Sequence, residues 1–181
     1  MELTRPPSAT ISGRPGDDEI AAYAKPDVDL VAGDDAIAAL VAQRRQTVLL
    51  FESLDEERVR GLTYAAGKWT LKEVLGHVAD DERIYAYRAL RFARNDATEL
   101  PGFEQDEFTR YAEANRRTLD DLLAELATVR AATLSLYEGL GDDTLTRRGV
   151  ASGNVMSVRA IAYHIAGHEL RHMNVIRERY L

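Results

Sequence analysis

Apolar residues recur every three or four positions in four long segments of the chain. This spacing predicts amphipathic helices over 34–53, 70–94, 111–140 and 157–181. Thr70 followed by Glu73 has the pattern of a capping box, and Ser157 stands where the N-cap of the last helix is expected. Runs that alternate apolar and polar residues, as strands do, are nearly absent. The pattern therefore predicts an all-α four-helix bundle.

The segments outside these helices have a different composition. Residues 1–33 hold four of the five prolines, which predicts an irregular N-terminal arm with a short helix near 17–23. We expect this arm to pack onto the bundle of residues 34–181 through Tyr23, Val28, Leu30 and Val31. The connection 95–110 contains the fifth proline and is acidic and aromatic. It is expected to lie over one end of the bundle, and its stretch from Phe103 to Phe108 is a candidate cover for a site there.

Composition restricts the classes of function. A chain of 181 residues with 45% hydrophobic and 29% charged residues is typical of one globular domain. The net charge of −7 disfavours binding to nucleic acid, and the absence of cysteine excludes disulfides, thiolate metal ligands and cysteine nucleophiles. No apolar run has the length of a signal sequence or a membrane span, so we expect a cytoplasmic protein without membrane contact.

Three of the four histidines lie in the last predicted helix. On a helical wheel, His168 and His172 fall near the middle of its apolar stripe, with His164 at the flank; the stripe consists of Val158, Ile161, Ile165, Val175 and Ile176. Two imidazoles that lie one turn apart and point at a core are the commonest way in which one helix supplies half of the ligands of a tetrahedral metal site. The alternative is that both rings are core residues with hydrogen-bonding partners.

The fourth histidine supplies a third ligand candidate. His77 lies at the edge of the apolar stripe of the second helix, and Asp81 lies one turn later inside that stripe. A site of His77, His168 and His172 requires only that the second and fourth helices are neighbours. Three nitrogens with a fourth position open are typical of catalytic zinc, although the ligand type also fits nickel, iron or copper.

Two carboxylates are candidates for a catalytic role. His168-Glu169-Leu170-Arg171-His172 matches the H-E-x-x-H pattern of zinc peptidases, in which the glutamate activates water. Downstream of this pattern the sequence has no histidine and only Glu178 as a side-chain carboxylate, and the strand layer of those enzymes is missing. We therefore interpret Glu169 as a side chain near the metal or a surface ion-pair partner. Asp81 would manage protons or orient a ligand imidazole; the alternative is an ion pair with Arg83, Arg88 or another helix.

Three stretches of the sequence resemble the DinB-like superfamily of DinB and YfiT-like metalloenzymes. They are GKWTLKEVLGHVADDERIYAYRALRFAR at 67–94, the following ELPGF, and YHIAGHELRHMNVI at 163–176. The resemblance implies an up-and-down four-helix bundle that binds a divalent metal, zinc or nickel, through positions matching His77, His168 and His172. His164 matches a position that is often histidine without being a ligand. Relatives include transferases or isomerases that depend on low-molecular-weight thiols, and hydrolases; homodimers are frequent.

Three hypotheses of function remain open at this point. The first is a metal-dependent transferase or hydrolase that directs a thiol or water at a small-molecule substrate. The second is a stress-related, metal-binding bundle without turnover. The third is a structural bundle with buried histidines, which predicts that no metal is bound.

Overall fold

The computed structural model describes residues 13–52 and 54–181, and within them the chain is mainly helical. The helices are α1 (Lys25–Leu30), α2 (Ala36–Phe51), α3 (Glu56–Val59), α4 (Leu71–Ala93), α5 (Gln105–Tyr111), α6 (Leu119–Glu138), α7 (Asp142–Leu145) and α8 (Val158–Arg179). Two strands, β1 (Arg148–Ala151) and β2 (Asn154–Ser157), form a short antiparallel hairpin. The long helices α2, α4, α6 and α8 pack together, which confirms the predicted all-α four-helix bundle.

The predicted helix starts of α4 and α8 are confirmed. The hydroxyl oxygen of Thr70 accepts a hydrogen bond from the backbone N–H of Glu73, whose carboxylate accepts one from the backbone N–H of Thr70. The hydroxyl oxygen of Ser157 accepts from the backbone N–H of Ala160 at 3.1 Å. These bonds satisfy N–H groups that have no partner within a helix, so local sequence decides where both helices begin.

The other two long helices differ from the prediction at their ends. Helix α2 begins after Asp35, whose carboxylate caps it, and ends at Phe51; the predicted end, Ser53, lies outside the described residues. Helix α6 begins at Leu119 instead of 111, because Glu113 has a left-handed backbone (φ +49°) that interrupts the helix. Within the predicted connection 95–110, the chain begins the short helix α5.

The β1–β2 hairpin was not predicted. Its strands have four residues each, too few to show an alternating pattern, and the two residues between them, Ser152 and Gly153, both have positive φ. Positive φ at both central residues is the conformation of a type I′ turn, whose twist matches that of a hairpin. The last residue of the hairpin, Ser157, is also the N-cap of α8, so the hairpin leads directly into the helix with the three histidines.

The N-terminal segment is more helical than predicted. The expected short helix at 17–23 is replaced by two 3-10 turns, followed by α1 with Pro26 in its first turn. Val28 and Val31 are buried, whereas Tyr23 and Leu30 are about half exposed. Residues 1–12 of the predicted arm lie outside the described residues.

Helix α1 approaches α8 at backbone distance. A Cβ atom at Gly167 would lie 1.9 Å from the carbonyl oxygen of Asp27, so a residue without a side chain is required there. The guanidinium of Arg14 donates to the carbonyl oxygens of Val28, Val31 and Gly33 and so holds the end of α1. Among the described residues, no helix is long and apolar enough to cross a membrane.

Candidate metal centre

The three predicted metal ligands lie together between α4 and α8. Nε2 of His168 is 3.1 Å from Nε2 of His77 and 3.2 Å from Nε2 of His172. One ring nitrogen from each histidine lies within 4.8 Å of the other two. His77 and His168 are buried, and His172 is partly exposed. The structure thus brings one imidazole from α4 and two from α8 to one point.

These distances fit a divalent cation. Tetrahedral zinc with Zn–N bonds of about 2.0–2.1 Å places neighbouring nitrogens about 3.3 Å apart, close to the separations seen here. Nε2 of His168 has either one proton or one lone pair, so it can form a normal hydrogen bond with only one of its two neighbours. A cation shared by three lone pairs accounts for both short contacts at once.

The protonation states of these histidines also suit metal binding. Burial lowers the pKa of His77, lowers that of His168 well below its usual value, and lowers that of His172 to about 3. Imidazoles with such pKa values are neutral at neutral pH and have a free lone pair. The metal would therefore not compete with protons for these nitrogens near pH 7.

Asp81 lies directly behind His168. Its Oδ2 atom is 3.4 Å from Nδ1 of His168, and the residue is only 5% exposed. A carboxylate at this nitrogen favours a proton on Nδ1, which leaves the lone pair on Nε2 facing the other histidines. Arg83 pairs with Asp80 and Glu125, and Arg88 donates to Pro101 and Ser152, so Asp81 pairs with neither arginine. Its partners lie on another helix, α8, where Nε2 of His164 is 3.6 Å away, as the third form of the alternative proposed.

Glu169 is part of a buried ionic network. One of its carboxylate oxygens accepts a hydrogen bond from Thr47, and the other lies 2.6 Å from Nη2 of Arg130. The same guanidinium makes a bidentate contact with Glu82 at 2.9 and 2.8 Å. The expectation of a surface ion pair was therefore wrong in location, since the pair lies inside the bundle and connects four helices.

His164 is also buried, although the wheel placed it at the flank. Its Nδ1 lies 3.2 Å from Asp27, and its Nε2 lies 3.6 Å from the same Asp81 oxygen that faces His168. Burial by itself would lower the pKa of His164, but the two carboxylates raise it above the usual value. This ring is therefore engaged by two acids on the side of His168 away from the three-histidine cluster.

Sequence reasoning missed Asp27, which the structure places at the centre of this arrangement. Its Oδ2 faces His164, and its Oδ1 lies 3.1 Å from Nε of Arg171. Two signals were available: Pro26, which favours the first turn of a helix, and Gly167, which stands between His164 and His168 where another backbone approaches.

An open cavity of about 420 Å³ lies beside His172. His172, Trp69 and Arg171 line it, together with Gln105 and Asp106 of α5. The Trp69 ring centroid is 4.7 Å from that of His77. The acidic and aromatic segment expected to cover a site thus lies at the histidine end of the bundle. A molecule in this cavity would reach the partly exposed edge of His172.

Comparisons with known proteins identify the family of the chain. No match is found among proteins with curated descriptions. YfiT from Bacillus subtilis, described as a probable metal-dependent hydrolase with an unusual four-helix bundle topology, has a similar structure, with a TM-score of 0.65. The match covers 92% of this chain and 91% of YfiT at 16% sequence identity, which shows a shared fold. The model of the DinB superfamily matches residues 39–176, and the chain therefore belongs to the DinB superfamily.

Proposed function

We propose that this chain is a divalent-metal-dependent enzyme acting on a small molecule, with His77, His168 and His172 as the metal ligands. The observation that supports it most directly is the convergence of three Nε2 atoms beside an open cavity. Membership of the DinB superfamily and the description of YfiT as a probable metal-dependent hydrolase agree with it. The cation, zinc or nickel, would supply Lewis acidity that lowers the pKa of a water or thiol.

The residues of the chain would prepare the site in three ways. Asp81 would hold the proton on Nδ1 of His168 and keep its Nε2 directed at the cluster. Burial keeps the three imidazoles neutral, and the aromatic face of Trp69 limits water around His77. His172, at the cavity edge, would lie nearest to the substrate.

A direct proton-transfer role for Glu169 or Asp81 stays a prediction. Both oxygens of Glu169 are engaged, one by Thr47 and one by Arg130, which favours a role in holding α8 in place. Asp81 faces two imidazoles, so a positioning role is the simpler proposal for it. A low-molecular-weight thiol as co-substrate and a homodimer are likewise predictions from the family resemblance, and a cytoplasmic location stays a prediction from the lengths of the apolar runs.

The test is metal analysis of the purified full-length protein, followed by turnover assays with and without chelator. We expect about one zinc or nickel ion per chain, and turnover that depends on added thiol or on water and stops with chelator. The assay panel should pair activated esters and amides with thiol acceptors. Retained metal without turnover across the panel would favour the non-catalytic metal-binding bundle instead, and absence of metal would favour the structural bundle.

A further inference from the structure

The cavity beside His172 is lined by more cationic than acidic side chains, although the whole protein is acidic. The chain has a net charge of −7, but two cationic side chains, Lys68 and Arg171, line this cavity with a single acidic one, Asp106. The side chains that line the cavity therefore include two cations and one acid, and one of the cations, Arg171, also faces the carboxylate of Asp27 behind the lining.

Arg171 forms an ion pair with a buried acid. Its side chain is 48% exposed, and its Nε lies 3.1 Å from Oδ1 of Asp27, a residue that is 1% exposed. In the described part of the chain, the Nη atoms of Arg171 have no hydrogen-bond or ion-pair partner. A guanidinium that faces a carboxylate with its Nε edge leaves the two Nη groups as a fork for a planar anion.

Lys68 adds a second cation on the opposite element. It precedes α4, is exposed, and its ammonium has no ion-pair partner among residues 13–52 and 54–181. Lysine acts as a mobile point charge, so it can approach an anion that the arginine has oriented.

The rest of the lining is apolar and aromatic. Trp69 stands against His77, and Val74 and Val175 contribute aliphatic surface. Tyr64 and Tyr180 pack edge to face with ring centroids 5.1 Å apart. A volume of about 420 Å³ is within the range of about 300–1,000 Å³ that holds small molecules.

We propose that this cavity binds a small organic monoanion, a carboxylate with a flat apolar body, and that Arg171 is the residue that determines this specificity. The carboxylate would accept two hydrogen bonds from the Nη groups of Arg171, and the apolar body would lie against Trp69. This placement brings the remainder of the molecule to the edge of His172. That such a carboxylate is the substrate rests on the proposed function. That the cavity binds it can be tested without the metal.

Trp69 provides the readout, because it is the only tryptophan in the chain and lines the cavity. Full-length protein, either zinc-loaded or treated with EDTA, is titrated with benzoate and with its neutral analogue benzamide while tryptophan fluorescence is recorded. We expect a saturable change with benzoate, and binding of benzamide weaker by about tenfold or more, since charge-assisted bidentate contacts are lost. In the EDTA-treated protein, binding cannot come from coordination of benzoate to zinc.

Variants assign the effect to Arg171. Arg171→Gln should weaken benzoate binding by about tenfold and leave benzamide binding unchanged, and Arg171→Lys should be intermediate. Arg177→Gln is the matched control, since Arg177 lies on the same helix, is exposed and donates to Asn174 at 3.2 Å. Lys68→Met, a change in an exposed side chain outside the helices, should weaken benzoate alone by about threefold.

Equal benzoate affinity in the wild type and Arg171→Gln would overturn the proposal, as would equal affinities for benzoate and benzamide. If the circular dichroism spectrum shows that Arg171→Gln is misfolded, the test uses Lys68→Met instead. An unchanged preference of Lys68→Met for benzoate over benzamide would then contradict the proposal. Failure of the proposed function would give a different result. Zinc would not bind, or no turnover would follow, but the EDTA-treated protein would still bind benzoate more tightly than benzamide.

Discussion

Nε2 of His77 lies 3.1 Å from Nε2 of His168, although 91 residues separate the two histidines in the chain. His172, one helical turn after His168, completes the group at 3.2 Å. Two neutral imidazoles have little reason to meet edge to edge inside a protein unless a hydrogen bond or a shared cation joins them. The expected effects of substituting the histidines and Asp81 therefore depend on this contact.

The first prediction concerns zinc stoichiometry. His77→Ala, His168→Ala and His172→Ala should each release the metal, because two remaining imidazoles bind a divalent cation much more weakly than three. The measurement is metal content after gel filtration at neutral pH. His164→Gln serves as the control, since glutamine keeps a polar side chain between the two acids that His164 faces. Equal metal loss from all four variants would show that the ligand assignment is wrong.

The second prediction concerns the carboxylate behind His168. Asp81→Asn should weaken zinc binding by about 10- to 100-fold, because the amide no longer fixes the Nδ1 proton of His168 as strongly. A competition titration with a chromophoric chelator measures this change. Asp80→Asn is a matched control one residue away, since Asp80 pairs with Arg83 at 3.3 Å. If both variants bind zinc equally well, Asp81 does not orient the ligand.

The third prediction is that the metal-free protein is sensitive to acid. Burial lowers the pKa of His77, His168 and His172 below the unperturbed value of 6.5, to about 3 for His172. Below pH 6.5 the unfolded chain therefore binds more protons than the folded chain, and the free energy of unfolding falls as the pH falls. For each histidine that stays neutral when folded, the loss approaches about 1.4 kcal/mol per pH unit.

Urea unfolding of EDTA-treated protein between about pH 7 and 5 tests this dependence. His172→Gln cannot gain a proton at this position, so its stability should fall less steeply than that of the wild type. His164 acts in the other direction: its raised pKa stabilises the fold fully below 6.5, and this stabilisation is lost only as the pH rises through the higher folded value. Identical slopes for the wild type and His172→Gln would contradict the prediction.

The fourth prediction concerns the buried ionic network. Arg130→Met leaves Glu82 and Glu169, each 2% exposed, without a counter-charge and should lower the free energy of unfolding by about 3–5 kcal/mol. Adding Glu82→Gln and Glu169→Gln should restore a large part of this loss, because neutral amides need no cation. Chemical denaturation of the metal-free variants measures both steps. Arg177→Met, an exposed change on α8, is the control, with an expected effect of less than about 0.5 kcal/mol.

Much of the helical architecture follows from short-range sequence signals. Thr70 and Glu73 specify the start of α4 through reciprocal hydrogen bonds, and Ser157 does so for α8. His168 and His172 share one face of α8 because a helix places residues four apart on the same side. The β1–β2 hairpin was not predicted because each strand has four residues, which are too few to show an alternating pattern of apolar and polar residues.

The surroundings of the candidate site could not be predicted in the same way. Glu169 has the sequence context of a catalytic glutamate, yet its partners are Thr47 on α2 and Arg130 on α6. Asp27 lies 144 positions before Arg171 in the printed sequence, and only the packing of α1 on α8 at Gly167 brings the two side chains together. Contacts of this kind depend on how helices pack, which the periodicity of any single helix does not specify.

The sequence by itself determined the four long helices, the starts of α4 and α8 and the face of α8 on which two histidines lie, because hydrogen bonds and side-chain spacing within a few residues decide these features. Only the tertiary structure decided that His77 joins them, that Asp81 and His164 stand behind His168, and that Arg171 faces a cavity beside His172. The physical reason is that burial and pairing of charges are properties of the packed bundle, where residues distant in the chain share one low-dielectric interior.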